Sequence, residues 1–237
     1  MEIKVLYDNR TMKKDVLAGW GFSCLVAGSV LFDTGEDSES LLHNMSEMGV
    51  EVSCVKDIVI SHDHLDHTGG VEGILKGSKA VKVYGCPGFS GEFKEKVKIL
   101  QGSLVEPGKI VEIRNNIFVT SPIVGEYKGK GIEEQALVIR TLNGMTIVTG
   151  CAHPGIIEIV ERVKESFAGE KIYCVLGGFH LKDKTEEEIR KVTERLNELG
   201  VEKVGPAHCS GENGIGVFKE KLTEKFIKIE AGKVLEV

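Results

Sequence analysis

Short apolar runs alternate along the chain with longer segments in which apolar residues recur every three or four positions. The runs are rich in Val and Ile and are bounded by Gly, Asp or Asn, a pattern typical of buried strands. They predict strands over residues 2–6, 23–26, 30–32, 58–60, 80–84, 110–113, 117–120, 135–141, 145–149, 171–176, 202–205 and 226–229. The segments with helical periodicity predict helices over residues 38–48, 69–75, 155–167, 185–199 and 212–222.

Local signals support several of these boundaries. Thr185 followed by Glu188 is a capping box, and Gly200 ends the same helix. Asn143-Gly144 predicts a tight hairpin turn. The block over residues 105–149 predicts antiparallel sheet, whereas the flanking parts alternate strand and helix. The sequence therefore predicts an α/β (α+β) fold in which two sheets form a sandwich with helices outside.

Composition narrows the class of protein. With 237 residues, of which 41% are hydrophobic, the chain can form a single domain over residues 1–237. It has no apolar run near the ~18 residues of a transmembrane helix, and its start resembles a first strand more than a secretory signal. The six cysteines show no Cys-x-x-Cys spacing, so we expect reduced thiols and a cytoplasmic protein that does not bind membranes.

Charge argues against a nucleic-acid partner, because the net charge is −6 and phosphate backbones require a basic face. A basic cluster over residues 94–98 is interpreted as an exposed helix face. A second one, at Lys128 and Lys130, is interpreted as a solvated loop. We expect a small-molecule substrate, and the sequence does not indicate an oligomeric state.

A dense group of metal-binding side chains follows the apolar run over residues 58–60. His62, His64, Asp66 and His67 lie within six consecutive positions. Imidazole nitrogen and carboxylate oxygen suit Zn²⁺, Fe²⁺ or Mn²⁺. His62 and His64 should point the same way if the chain is extended, and Asp63 between them should point away and be structural. Without a cation, so many polar donors on one loop would be poorly satisfied. The motif therefore predicts a metal site.

Three further histidines occupy equivalent places in the predicted topology. His153, His180 and His208 each follow a predicted strand and stand beside glycine. Strand ends at one edge of a sheet are where α/β folds gather their ligands. These histidines are therefore candidate site residues, whereas His43, inside a predicted helix, is interpreted as structural.

The ordered set His62-x-His64-x-Asp66-His67, then His153, then His208, resembles the ligand series of the metallo-β-lactamase superfamily. The resemblance implies a four-layer αββα sandwich with the metal site at one edge of the two sheets. It implies that His62, His64 and His153 hold a first metal and that Asp66, His67 and His208 hold a second. Two divalent ions per chain are expected, Zn²⁺ first, with Mn²⁺, Fe²⁺ or Mg²⁺ as alternatives. The Phe32-Asp33-Thr34-Gly35 turn is similar to one that precedes the cluster in this superfamily, and Asp33 is expected to orient the histidines.

One departure from the family pattern concerns the aspartate that bridges both metals in most members. The corresponding place here is Leu176-Gly177-Gly178-Phe179-His180-Leu181, which has no carboxylate. Three roles for His180 stay open: metal ligand, substrate contact, or support of a neighbouring ligand. Cys151 and Cys209, which flank His153 and His208, are interpreted as buried packing more than as ligands.

The motifs around His153, His180 and His208 resemble a branch that includes 7,8-dihydropterin-6-yl-methyl-4-(β-D-ribofuranosyl)aminobenzene 5′-phosphate synthases. The resemblance implies a metal-dependent enzyme acting on a small anionic substrate with a phosphate or diphosphate group, which could be pterin-like. The reaction would be hydrolysis or transfer with displacement of diphosphate. The alternative is the coupling of a dihydropterin to an aryl amine in pterin cofactor biosynthesis. Asp66 would orient the nucleophile, and His180 would donate a proton.

Other classes are weighed against this hypothesis. An RNA-processing nuclease would need a basic surface, and a non-catalytic metal-binding sensor would lose ligands that this chain keeps. The glycine-rich segment over residues 125–131 is interpreted as a plain flexible connection, with a mobile loop that touches an anionic substrate through Tyr127, Lys128 or Lys130 as the alternative.

Overall fold

The computed structural model describes residues 1–237 and divides the chain into two units. The first unit contains residues 1–109 and 230–236, and the second contains residues 110–229 and Val237. Each unit has its own sheet and its own apolar core. The expectation of a single domain over 1–237 stays a prediction.

The first unit is built on a seven-stranded mixed sheet. Its strands are β1 (Glu2–Tyr7), β2 (Ser23–Val26), β3 (Val30–Phe32), β4 (Asp57–Val59), β5 (Lys82–Tyr84), β6 (Ser103–Val105) and β15 (Val234–Glu236), in the spatial order β15-β1-β2-β3-β4-β5-β6. Its helices are α1 (Ser38–Glu47), α2 (Leu65–Thr68), α3 (Val71–Gly77) and α4 (Gly91–Ile99). Strands β3, β4, β5 and β6 are parallel neighbours, and the remaining pairs are antiparallel.

The register of the parallel strands determines where the polar motifs emerge. Phe32 of β3 pairs with Val59 of β4. The chain therefore leaves β3 at Asp33 and β4 at Ile60 on the same edge of the sheet. All residues of both strands are buried, as expected for a parallel sheet covered on both faces. The histidine motif after β4 is thus brought beside Asp33.

The second unit contains a six-stranded sheet and a separate two-stranded hairpin. Its strands are β7 (Val111–Arg114), β8 (Ile117–Val119), β9 (Ile123–Tyr127), β10 (Lys130–Glu134), β11 (Leu137–Thr141), β12 (Gly144–Thr149), β13 (Ile172–Gly178) and β14 (Lys203–Ala207). The sheet order is β14-β13-β12-β11-β8-β7, and β9 pairs with β10. Its helices are α5 (Ile156–Ser166), α6 (Glu186–Glu198) and α7 (Gly211–Leu222).

Parallel pairing in the second unit gathers three loops at one edge. Thr149 of β12 pairs with Gly177 of β13, and Gly177 pairs with Pro206 of β14. The loops that follow these three strands carry the three predicted site histidines of this unit. The antiparallel strands β7, β8, β11 and β12 confirm the prediction for the block over residues 105–149.

Several local predictions are confirmed and others are wrong. The capping box of Thr185 and Glu188 is present, and Gly200 follows α6 with φ 80°. Residues 226–229 do not form a strand, because only Phe226 makes an isolated bridge, with Val204. Residues 125–131 are not a plain connection, since they belong to the β9–β10 hairpin. Helix α4 confirms that residues 94–98 lie on a helix. No helix combines the length and apolar character needed to cross a membrane.

Candidate functional site

The first unit contains a group of four side chains, His62, His64, Asp66 and His67, which we name the first donor cluster. Nε2 of His62 lies 3.1 Å from Nδ1 of His64, and their ring centroids are 4.6 Å apart. The rings of His62 and His67 are 4.2 Å apart. Oδ2 of Asp66 lies 3.6 Å from Nε2 of His67. The prediction that His62 and His64 point the same way is confirmed.

A buried carboxylate beneath this cluster fixes its orientation. Oδ2 of Asp33 lies 2.6 Å from Nδ1 of His67 and also accepts from the Ser61 hydroxyl at 2.7 Å. Oδ1 accepts from the Ser61 backbone N–H at 2.7 Å. Ser61 Oγ in turn lies 2.9 Å from Nδ1 of His62. With its Nδ1 directed at Asp33, the His67 ring presents Nε2 toward Asp66, which is how a supporting carboxylate orients a metal-binding histidine.

The two residues assigned structural roles lie outside this cluster. Asp63 accepts a hydrogen bond from the backbone N–H of Ser90 at 2.7 Å, which directs its carboxylate away from the histidines. Nε2 of His43 lies 2.9 Å from the carbonyl oxygen of Asp15. These contacts agree with structural roles for both residues, which stay predictions.

The second unit contains another group, Cys151, His153, His180 and His208, which we name the second donor cluster. Sγ of Cys151 and one ring nitrogen each of His153 and His180 lie within 4.8 Å of one another. Sγ of Cys151 also lies within 4.8 Å of a ring nitrogen of His208. The ring centroids of His153 and His180 are 4.6 Å apart. The three strand-end loops thus bring their histidines close to one thiol.

A second buried carboxylate, Glu134 at the end of β10, supports this cluster. Its Oε1 accepts from the backbone N–H groups of Cys151 at 3.0 Å and Ala152 at 2.8 Å, and its Oε2 accepts from that of His153 at 2.8 Å. Three hydrogen bonds to one buried carboxylate hold the loop after β12 in place. Sequence reasoning missed this residue. The sequence carries no local signal for it, because its partners lie 17 to 19 positions away along the chain.

Backbone conformation is unusual at both clusters. Asp33, Ala152, His180 and His208 have φ of 53°, 58°, 52° and 46°. Residues other than glycine seldom adopt this left-handed region, and where they do, the surrounding structure must compensate the cost. Such residues concentrate at functional sites, which agrees with the candidate roles of His180 and His208.

The β9–β10 hairpin places an aromatic ring against the second donor cluster. The Tyr127 ring lies 5.2 Å from that of His153 and 6.0 Å from that of His180. A Cβ atom on Gly125 would approach the carbonyl carbon of His153 to 2.4 Å, so only glycine permits this close packing of the hairpin. At the tip, Nζ of Lys128 lies 5.0 Å from the Tyr127 ring centroid.

The thiols of the second unit differ in their electrostatic surroundings. Burial within β13 raises the pKa of Cys174 to about 12. Burial also acts to raise the pKa of Cys209, but a hydrogen bond from Cys151 and the positive charges of His208 and His180 outweigh it and hold that pKa below the ordinary value. The hydrogen bond with Cys209 raises the pKa of His180 despite the opposing effect of burial. The surroundings of Cys209 thus favour its thiolate form.

The chemistry of both donor sets suits a divalent transition metal. Together they offer imidazole nitrogens, one carboxylate and one thiol. Zn²⁺ and Fe²⁺ accept all three donor types, whereas Mg²⁺ prefers oxygen ligands.

Comparison with known proteins identifies the class. Residues 23–212 match the family model of the metallo-beta-lactamase superfamily. The chain belongs to this superfamily and has its fold, a mixed arrangement of two sheets and helices.

Three proteins of this superfamily or fold are similar to the chain over most of its length. The chain is 32% identical to the 7,8-dihydropterin-6-methyl-4-(beta-D-ribofuranosyl)-aminobenzene-5'-phosphate synthase of Methanocaldococcus jannaschii, an alignment that covers 87% of this chain and 84% of the relative. A crystal structure of a metal-dependent hydrolase of the beta-lactamase superfamily is 36% identical and superposes with a TM-score of 0.83, covering 100% of this chain and 99% of the other. The metallo-beta-lactamase fold protein YhfI of Bacillus subtilis shares the fold at 12% identity, with a TM-score of 0.70 and coverage of 99% and 98%.

Proposed function

We propose that this protein is a metal-dependent enzyme that acts on a small anionic substrate bearing a phosphate or diphosphate group, by hydrolysis or by transfer with displacement of diphosphate. The observation that carries the proposal is the pair of donor clusters, which together contain every residue of the superfamily's ligand series. Each is supported by a buried carboxylate that contributes no ligand of its own. Preorganisation of this kind is typical of metal sites used for chemistry.

The proposed ligands follow the family pattern. His62, His64 and His153 would hold one divalent ion, and Asp66, His67 and His208 would hold a second, with Zn²⁺ as the expected metal. When bound, the metals supply Lewis-acid stabilisation of anionic oxygens and lower the pKa of water.

Two side chains are proposed to handle the reacting groups. The Asp66 side chain keeps 19% of its surface exposed, so its carboxylate can accept a hydrogen bond from an incoming water or amine and orient it. The His180 ring lies 4.6 Å from that of His153, a proposed metal ligand. From this position His180 would donate a hydrogen bond or a proton to an anionic oxygen of the substrate.

Residues at the tip of the β9–β10 hairpin favour the proposal of an anionic substrate. Lys128 is exposed and lies over the Tyr127 ring, which itself contacts the rings of His153 and His180. The Lys128 ammonium group, separated from the donor histidines by the Tyr127 ring, would attract a phosphate group toward these histidines. Tyr127 would form an apolar wall for the organic part of the substrate.

A second candidate is narrower: the coupling of a dihydropterin methyl diphosphate with an aryl amine ribose phosphate, a step in pterin cofactor biosynthesis. What favours it is the 32% identical relative, which bears the name of a synthase of this kind. In this reaction the amine would replace water as the nucleophile oriented by Asp66. A planar pterin would also match the aromatic face of Tyr127.

The test is a mass-spectrometric product assay on purified protein loaded with Zn²⁺. The protein receives a dihydropterin methyl diphosphate with and without the aryl amine acceptor. Chelator-sensitive release of diphosphate without coupling would support the hydrolase, and a coupled product that requires both substrates would support the synthase. A protein that binds no divalent metal under these conditions would overturn the proposal.

A matched pair of variants tests whether the measured turnover depends on the proposed site. His180→Ala should lower turnover, because it removes the proposed proton donor. His43→Ala removes a histidine whose ring contacts the Asp15 carbonyl, outside both clusters, and should leave turnover unchanged. Equal activity of both variants would remove His180 from the mechanism.

A further inference from the structure

The second donor cluster contains a thiol that the family ligand series does not include. Cys151 is 4% exposed and stands two residues before His153 in the loop after β12. Its Sγ lies within 4.8 Å of ring nitrogens on His153, His180 and His208, the three histidines of this unit. A buried cysteine that only fills space is usually surrounded by apolar side chains. Cys151 instead faces three imidazoles.

We propose that the Cys151 thiolate is a metal ligand that bridges the two ions, in the role that a carboxylate has in most relatives. The inference rests on the proposed function, because it assigns His153 to one ion and His208 to the other. Cys151 lies within 4.8 Å of both. A single sulfur in that position would serve both metals when they are bound, and its negative charge would offset their mutual repulsion.

The chemistry of the thiolate agrees with this role. Cysteine sulfur binds Zn²⁺ and Fe²⁺ as a thiolate, so metal binding releases the thiol proton to solvent. The loop is held for this purpose by Glu134, which accepts from the backbone N–H groups of Cys151 and His153 at 3.0 and 2.8 Å. The two ligands of one loop are therefore fixed by the same carboxylate.

The assignment also limits the role of His180. Its ring nitrogen lies within 4.8 Å of the same sulfur, and its backbone N–H donates to Cys209 Sγ at 3.3 Å. With Cys151 as the bridge, the site does not require His180 to replace the missing carboxylate. His180 is then available for the substrate, as the proposed function requires.

The test replaces the native metal with Co²⁺ and records the near-ultraviolet spectrum, where a thiolate bound to cobalt gives an intense charge-transfer band. The wild-type protein should show the band and bind two equivalents of Co²⁺. Cys151→Ser should lose the band and bind the second equivalent about tenfold or more weakly. Cys151→Asp, which introduces a carboxylate, should lose the band but keep two equivalents. It therefore remains informative if the serine variant folds poorly.

Control variants separate this inference from the proposed function. Cys54→Ser removes an exposed thiol of the first unit and should retain both the band and the stoichiometry. If the wild-type protein binds two equivalents without the band, or if Cys151→Ser keeps it, the bridging thiolate is overturned while the metal enzyme stands. If the wild-type protein binds no Co²⁺ or Zn²⁺, both proposals are overturned.

Discussion

The two donor clusters both gather metal-binding side chains above a buried carboxylate, but they are assembled from different parts of the chain. In the first unit, four donors come from six consecutive residues after one strand, and Asp33 contacts the side chain of His67 directly at 2.6 Å. In the second unit, the donors come from three loops spread between residues 151 and 208, and Glu134 accepts from three backbone N–H groups of one of these loops. One cluster is thus organised by side-chain contacts and the other by backbone position.

The two clusters should therefore respond differently when their supporting carboxylates are substituted. In the first cluster, substitution of Asp33 should lower the metal affinity and have little effect on the free energy of unfolding. In the second cluster, substitution of the supporting carboxylate should first lower the stability of the fold, because Glu134 accepts from three backbone N–H groups, two of them in buried hydrogen bonds.

The largest effect should follow from removing one donor of each cluster. His62→Ala and His153→Ala should each lose metal and reduce turnover by about 10³-fold, because several kcal/mol of Lewis-acid stabilisation are lost. Metal content after dialysis, measured by mass spectrometry, checks the assignment. His43→Ala serves as the control and should keep its metal. Full metal content in His62→Ala or in His153→Ala would contradict the ligand assignment for that cluster.

The same difference explains how much could be predicted from sequence. His62, His64, Asp66 and His67 form a contiguous motif, so periodicity and donor chemistry were sufficient to find it. The second cluster was only partly visible: its histidines follow predicted strands, but parallel pairing, which depends on long-range contacts, is what brings them together. Glu134 could not be found, because its partners are N–H groups of residues 17 to 19 positions away.

The hairpin formed by β9 and β10 was missed for a physical reason. Its five glycine or lysine residues between 125 and 131 have low strand propensity and suggest a loop. The strands are nevertheless paired from Lys130 and Tyr127 to Glu134 and Ile123. Close packing of Gly125 against the His153 backbone, which needs a residue without Cβ, overrides the local preference.

The second prediction tests the side-chain support of the first cluster. Asp33→Asn should lower the metal affinity of this cluster about 10–100-fold, because the amide loses the negative charge and its NH₂ group would face either the Ser61 backbone N–H or the His67 ring. Competition with a chromogenic chelator measures the affinity. Asp63→Asn is the control. The Asp63 carboxylate lies in the same motif but accepts from the backbone N–H of Ser90, so this substitution should leave the metal affinity unchanged. Equal affinities for the two variants would refute the orienting role of Asp33.

The third prediction concerns the backbone support of the second cluster. Glu134 is 1% exposed, and Glu134→Gln replaces one acceptor oxygen with an NH₂ group. At least one of the N–H groups of Cys151, Ala152 and His153 is then unsatisfied, which should lower the free energy of unfolding by about 1–3 kcal/mol. Urea denaturation of the metal-free protein measures the change. Glu133→Gln, one residue earlier on the same strand, is the control, and an equal loss in both variants would exclude a specific role for Glu134.

The smallest expected effect is the pH-dependent contribution of Asp37, at the start of α1 in the first unit, to the free energy of unfolding. Burial acts to raise the pKa of Asp37, but the hydrogen bonds from Ser40 N–H at 2.7 Å and the Tyr7 hydroxyl at 2.8 Å outweigh it and lower that pKa. A carboxylate whose pKa is lower in the folded state stabilises the fold above its unfolded pKa of about 3.9. This contribution is lost as the pH falls through the folded value. Asp37→Asn keeps a capping oxygen, so it should cost only about 0.5 kcal/mol at pH 7.

The difference between the two proteins should then shrink toward zero in acid, below about pH 3.9. Urea unfolding of the wild-type and Asp37→Asn proteins at a series of pH values measures it. Helix α5 of the second unit begins after Gly155 without a side-chain cap, so no comparable pH dependence is expected from its start. A difference that stays constant with pH would show that the stabilisation comes from the cap geometry and not from the charge of Asp37.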